Sequence, residues 1–360
     1  MTIALVYGGR STEHEVSIAS AVTMHYFLEQ AGYRVLLIAI SLDGQWYLQP
    51  GRVDKTIDTT KTIHAVPGIG FYVQDTKLDI DAVFATTHGY GGEDGNLQGL
   101  CMLCRIPLCG CDTVSSALGM HKNLASALFM QEGIPTVPTL LLDKNQLKQV
   151  DYEVLLQHAR SKFGNDLFVK PENSGSSVGV SVLKDCDVRA LQQAVELACR
   201  YSERVLVQTF IHPLTEVETA VLATQDQGLV VAGPGLVIDP AKEKVGFLSY
   251  EHKYGHLDTA YIKIPSGLER ETEEQIRNYA RKAFLAIKGD GYARIDFFVS
   301  ENRIFLNEIN TSPGLTDKSH YPALLASVGY DLSAVCKHLV ADALQRNEQE
   351  KLRIYTPPGS

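Results

Sequence analysis

The sequence predicts an α/β (α+β) protein of three units, the first built on a parallel sheet. Three observations lead to this. Short apolar strands alternate with amphipathic helices through the first third of the chain, the pattern of strands joined by crossover helices. Strands and helices then recur in two further groups. The last group ends in two apolar strands, Gly291–Phe298 and Phe305–Asn310, that carry polar groups on one face. A chain of 360 residues is long enough for two or three domains with a sizeable core.

The elements follow in order. Ile3–Gly9 is a buried-type strand, and an amphipathic helix runs from His14 to Ala31 until Gly32 ends it. Arg34–Ile40 and Ile80–Thr87 are the next strands, and the stretch from Leu48 to Asp75 supplies edge strands and loops. An apolar helix covers Leu97–Cys104. In the second unit we expect helices at His121–Glu132, Tyr152–Phe163 and Val188–Tyr201, with strands at Thr139–Leu142, Leu167–Lys170 and Val178–Leu183. The third contains strands Val205–Ile211, Thr219–Ala223, Leu229–Val237 and Tyr261–Ile264, helices Thr272–Lys288 and Asp331–Gln345, and the two polar-faced strands. The resulting units are 1–110, 111–207 and 208–360.

Composition narrows the class. The chain is 45% hydrophobic and 21% charged, ordinary for a soluble globular protein. A net charge of -9 without a long basic run argues against nucleic acid as a partner. No basic segment precedes the first strand, and no apolar run reaches the length of a membrane span, so no membrane partner is expected. Seven cysteines, an odd number, fit a reducing cytoplasm. Cys101, Cys104, Cys109 and Cys111 include a Cys-x-x-Cys pair. The spacer 105–108 is very short for a tetrahedral zinc site, so core packing is expected of them.

The polar-faced strands carry the strongest chemical signal. Side chains alternate along a strand, so Arg294 and Asp296 share a face, as do Glu308 and Asn310. Ser300–Arg303 makes a plausible hairpin turn between them. Two carboxylates, an amide oxygen and a guanidinium then meet near one spot. Buried charges need partners or a metal, and hard oxygen ligands of this kind suit Mg²⁺ beside substrate phosphates. An internal Arg–Asp salt bridge with a solvated Glu is the alternative.

Other segments point the same way. Lys170–Val180 is a Gly- and Ser-rich loop between strands, able to turn backbone N–H groups toward phosphate. It is not a Walker loop, since no Gly-Lys-Ser/Thr opens a helix. The long polar loop Asp239–Asp258, with Tyr250, Lys253 and Tyr254, has the character of a closing lid or of a surface loop. After the first strand, Gly8–Ser17 places Glu13 and Glu15 beside His14, a setting for a substrate ammonium rather than a phosphate, although Ser11 could equally cap the helix. Thr87–Gly95 ends another strand, where ligands bind in α/β folds, and His88 lies there either as a substrate contact or as an incidental turn residue.

Six segments in order, GGRSTEHEVS (8–17), HGYGGEDGNLQG (88–99), KPENSGSSVGV (170–180), YEHKY (250–254), GYARIDF (291–297) and LNEINTSPGLT (306–316), together resemble the D-alanine–D-alanine ligases of the ATP-grasp superfamily. The resemblance implies a three-domain ATP-grasp fold. An N-terminal parallel α/β domain would precede central and C-terminal domains that hold the nucleotide between them, with a lid near 239–258. It implies that ATP phosphorylates one D-alanine to an acyl phosphate, that a second D-alanine attacks, and that the dipeptide feeds peptidoglycan synthesis.

Carried over by position, the resemblance implies catalytic roles for Glu13, Ser176, Tyr254, Arg294 and Gly314. Glu13 would bind the first ammonium, and Ser176 would link it to Tyr254. Arg294 and the Gly314 N–H would stabilise the oxyanion. Nucleotide contacts would come from Lys122, Lys170, Ser176, Ser177, Gln208, Phe210, Ile211, Glu216 and Lys253. Asp296, Glu308 and Asn310 would hold Mg²⁺, as two ions, with Mn²⁺ as the alternative metal. His88 would lie near the first substrate, with Ser319 and Lys253 at the second carboxylate. A homodimer is also implied. Gln208 stands where the family usually has Glu, and the turn 212–216 lacks the usual Gly, which bears on nucleotide affinity. A relative that joins D-alanine to D-lactate or D-serine is one alternative; Tyr254 after Lys253 matches dipeptide-forming members, whereas depsipeptide-forming members typically differ there. A non-catalytic ATP-binding relative is the remaining alternative.

Overall fold

The computed structural model describes residues 1–240 and 260–355. The first unit is a five-stranded sheet in the order β3-β2-β1-β7-β8. Its strands are β1 (Thr2–Gly8), β2 (Arg34–Ile40), β3 (Trp46–Gln49), β7 (Ala82–Ala85) and β8 (Leu108–Cys109). β1 runs parallel to both β2 and β7, while β3 adds an antiparallel edge. β1 is apolar and buried along its whole length, as a central parallel strand requires. The helices α1 (His14–Gln30) and α2 (Asn96–Leu103) flank it, and β4 (Ile63–Val66), β5 (Gly70–Val73) and β6 (Thr76–Lys77) form a small separate sheet.

The next unit opens with two helices, α3 (Thr113–Met120) and α4 (Lys122–Gln131). The first of these was not expected from the sequence. Its eight residues are small and mixed, and its start is fixed by the Asp112 carboxylate, which accepts from the Ser115 N–H. A four-stranded antiparallel sheet follows, ordered β11-β10-β12-β9. It comprises β9 (Thr139–Asp143), β10 (Leu167–Pro171), β11 (Ser181–Leu183) and β12 (Arg204–Thr209), with helices α5 (Lys144–Leu147), α6 (Tyr152–Phe163) and α7 (Val188–Ala198). β12 corrects the expectation that the strand near Val205 opens the third unit: it pairs with β9 and β10.

The last sheet runs β15-β14-β13-β16-β17. It contains β13 (Thr215–Thr224), β14 (Gly228–Ile238), β15 (Tyr261–Lys263), β16 (Tyr292–Ser300) and β17 (Arg303–Asn310). Helices α8 (Arg270–Ala286), α9 (His320–Ala326) and α10 (Leu332–Lys351) complete it. α10 does more than close this unit. Its Val335, Leu339 and Val340 join one apolar core with Ile18, Met24 and Leu28 of α1.

Two strands are shorter than expected, β7 against 80–87 and β11 against 178–183. Of the residues left over, Thr87 begins a loop that approaches the site. The cysteines Cys101, Cys104, Cys109 and Cys111 are divided among three different apolar cores rather than gathered at one centre. No described helix is long and apolar enough to cross a membrane.

Candidate active site

The site grows from the β16–β17 hairpin. Its two-residue turn, Glu301 and Asn302, has both φ values positive, as a tight hairpin twist demands. Along β16, Ala293, Ile295, Phe297 and Val299 enter the core, so Arg294 and Asp296 face the other way. The register sets Arg294 opposite Asn310 and Asp296 opposite Glu308. Strict alternation would also put Leu306 on that polar face. A β-bulge prevents it: Phe297 pairs with Leu306, leaving Asn307 as the extra residue. Leu306 is thereby buried in the core while Glu308 still faces Asp296.

Arg294 holds Asp296 in a two-point pair, with Nε and Nη2 each donating over 2.7 Å. The Asn310 amide donates to the same carboxylate at 3.1 Å. Burial pushes Asp296 up to about 6 against the pull of Arg294. Relief of such crowding is what a cation supplies. Among the described residues, no three His, Cys, Asp or Glu side chains form a metal-holding group. The donor set is instead two carboxylates plus an amide, a hard-oxygen set that fits a divalent ion sharing its shell with phosphate and water.

Two lysines border this face. Lys122, at the start of α4, donates to the Ser174 carbonyl at 2.9 Å and lies 3.4 Å from the Glu308 carboxylate. Lys170, from the end of β10, donates to the bulged Asn307 at 3.2 Å. Burial lowers the Lys170 ammonium to about 8, with Glu308 opposing. Its ammonium also lies 5.8 Å from the Phe168 ring, and Phe168 is the register partner of Gln208. β10 thus joins the lysine to a second patch. There Gln208 donates its amide to the Thr139 hydroxyl at 2.7 Å, which turns its carbonyl oxygen elsewhere. Phe210 and Ile211 continue past the end of β12, with Lys184 3.8 Å from the Phe210 ring centre. Glu216 sits on β13 opposite Phe298.

Glu13 occupies a cradle formed by three chain segments. It precedes α1, and the Ser176 hydroxyl donates to its carboxylate. Ser176 and Ser177 both adopt positive φ, which folds the loop inward. A side chain at Gly175 would bring its Cβ within 2.9 Å of the Glu13 carboxylate, and one at Gly89 within 3.2 Å. Both glycines therefore permit a close approach that no larger residue allows. His88 stands beside them. Burial lowers its imidazole, and its Nδ1 donates to the Ser312 carbonyl at 3.0 Å. That tautomer leaves a buried Nε2 as an acceptor without a hydrogen-bond partner among the described residues. Ser312 also donates to the Thr87 carbonyl at 3.1 Å, so the loop after β17 docks on the loop after β7. On that same loop Gly314 packs against Ser319, whose hydroxyl meets Thr316 at 2.8 Å.

The structure therefore brings together Glu13, Ser176, His88, Lys122, Lys170, Arg294, Asp296, Glu308 and Asn310. Lys253 and Tyr254 lie outside the described residues, as does nearly all of the expected lid. Three groups escaped the sequence reading. Glu93 accepts from the Gly89 N–H at 2.8 Å, and burial, with Glu13 second, pushes it up to about 8. Glu93 is thereby held largely protonated at neutral pH. Glu218 faces Asp296 across β13 and β16, and His320 opens α9. Alternation from Glu216 to Glu218 was the available signal for the first. His320 had none.

Comparisons with known proteins identify the family. The D-ala D-ala ligase N-terminus model covers residues 2–111 and the corresponding C-terminus model covers 128–341. The chain belongs to the D-alanine–D-alanine ligase family. A D-alanine–D-alanine ligase from Caldicellulosiruptor bescii is 36% identical over 100% of this chain and 99% of that one. One from Acetivibrio thermocellus is 38% identical, covering 96% of each. Among solved structures, the VanG D-Ala:D-Ser ligase from Enterococcus faecalis superposes with a TM-score of 0.82 at 30% identity, over 95% of this chain and 99% of that one. Membership makes the chain an enzyme of the ligase class with the ATP-grasp fold, using ATP and a divalent metal.

Proposed function

We propose that this ligase joins two D-alanines into D-alanyl-D-alanine, using ATP through an acyl phosphate, for peptidoglycan precursor synthesis. The observation that carries the reading is Lys122. Its ammonium touches both the glycine-rich loop that bears Ser176 and the carboxylate of Glu308. An amino-acid cradle and a phosphate face thus share one cation.

Roles follow from that arrangement. Glu13 binds the ammonium of the first D-alanine, with the Ser176 hydroxyl fixing its carboxylate. His88 presents its bare Nε2 toward that substrate. Lys122, Lys170 and the N–H groups near Ser176 and Ser177 take the phosphates, with Gln208, Phe210, Ile211 and Glu216 toward the nucleoside. Phosphoryl transfer of this kind depends mainly on positioning and on neutralising charge. Asp296, Glu308 and Asn310 would hold Mg²⁺, as two ions, which when bound neutralises phosphate charge. Attack by the second amine places negative charge on the tetrahedral oxygen, and Arg294 with the Gly314 N–H are its donors. Ser319 receives the second carboxylate. Contacts of Lys253 with phosphate and of Tyr254 with Ser176 are the roles expected of two residues outside those described, and water must be kept from the acyl phosphate.

We also propose a cytoplasmic homodimer, tested by sedimentation of the purified protein. For the reaction itself, the protein is mixed with ATP, Mg²⁺ and D-alanine. Release of phosphate together with dipeptide is expected, and ATP binding without phosphate release would favour a non-catalytic binder. Competition between D-alanine, D-serine and D-lactate as second substrate should give mainly the D-alanine product. Predominant D-serine or ester product would move the chain to the resistance-type ligases.

A further inference from the structure

Beside the catalytic arginine runs a chain of contacts that the roles above do not use. Glu218 projects from β13 onto the same face as Asp296 and is 8% exposed. Its Oε2 accepts from His320 Nδ1 at 3.0 Å and forms an ion pair with Arg294, whose Nε lies 3.3 Å away. His320 is the first residue of α9 and follows Ser319 directly. Ser319 and His320 also line a cleft of about 370 Å³ with Tyr261 and Ile262 of β15. An unbroken path therefore leads from the wall of that cleft through Glu218 to Arg294.

Arg294 has a reason to need this second anchor. Its other carboxylate partner, Asp296, is also a candidate metal ligand, so the guanidinium shares it. Glu218 is not in the metal set and holds the guanidinium from the neighbouring strand. Left alone, a carboxylate so buried would be costly, and His320 supplies a hydrogen bond to it.

We propose that His320 and Glu218 act as a positioning pair for Arg294 that sets how well the second amino acid binds and reacts. This rests on the ligase reading and extends it. His320 stands where the second substrate's cleft ends, and Glu218 passes its placement to the oxyanion donor. The first amino acid's cradle, around Glu13 and Ser176, is built on other segments of the chain.

The test is steady-state kinetics of the full chain with Mg²⁺, ATP and D-alanine, resolving the KM of the first and second D-alanine. His320→Leu removes the donor at similar size. It should raise the second KM about tenfold while leaving the first KM and that of ATP within about twofold. His320→Asn places an amide N–H near the Nδ1 position and should recover most of the loss. A merely structural His would raise all three constants together or lower the melting temperature equally in both variants. An unchanged second KM in His320→Leu, an Asn variant as impaired as Leu, or a uniform loss would each overturn the inference. Should His320→Leu not fold, Glu218→Gln carries the same test, with the same split expected and a uniform effect overturning it. A parent protein that makes no dipeptide would sink the ligase reading as well, whereas an active parent without the split sinks this inference alone.

Discussion

The hairpin face and the Glu13 cradle build polar sites in opposite ways. Arg294, Asp296, Glu308 and Asn310 lie within two adjacent strands, ordered by pleat and register. Glu13, Gly89, Gly175 and Ser176 come from three loops far apart in sequence and meet only when the units pack. The hairpin's geometry is thus held by backbone hydrogen bonds of a central sheet. The cradle's geometry depends on loop packing and on two missing side chains. A site of the first kind should fail by losing charge. One of the second kind should fail by small changes of shape.

The largest effect should come from the hairpin. Glu308→Gln keeps the shape and removes one charge. We expect turnover to fall about a hundredfold or more, measured by phosphate release at saturating substrate. Near-normal turnover would end the metal role of Glu308. Arg294→Lys should cost nearly as much, about a hundredfold in kcat, since a lysine cannot span Asp296 and Glu218 together.

The cradle should respond to shape. Gly175→Ala puts a methyl 2.9 Å from the Glu13 carboxylate, which must swing away. The KM for the first D-alanine should rise about tenfold, with the melting temperature nearly unchanged. A large loss of stability with an unaltered KM would mean that Gly175 serves the loop alone.

Lys170 links the two regions and gives a pH signature. Its ammonium is lowered to about 8 by burial, so the protonated form is lost as pH rises through that value. Phosphate binding favours the protonated form. The KM for ATP should therefore climb above about pH 8, and Lys170→Arg should flatten the climb. The smallest effect belongs to the nucleoside patch. Gln208→Glu restores an acceptor charge beside Thr139 and should change the KM for ATP only about threefold. A larger change would make that patch as sensitive as the hairpin.

These contrasts match what could be read from residues. The hairpin was legible because strand alternation and a short turn need no knowledge of the rest of the fold. The cradle was legible only as separate glycine-rich segments, joined by likeness to a family. Where the reading erred, distant partners decided. β12 joins the central sheet because β9 and β10 offer its backbone partners. α3 forms because Asp112 caps a weak helical segment that packs on the loop after β17, where a Cβ added at Gly119 would lie 2.9 Å from Thr311.

By itself, then, the sequence determined the alternation of strands and helices, the polar face of the last two strands and the motifs shared with ATP-grasp ligases. Those depend on local period and residue type. The tertiary structure alone decided that a bulge sends Leu306 inward and keeps Glu308 beside Asp296. It also decided that α10 packs on α1, that the Ser312 carbonyl fixes the His88 tautomer, and that His320 reaches Arg294 through Glu218. The bulge is a matter of register within the hairpin; the others rest on contacts between residues far apart in the chain, which no local period or residue type announces.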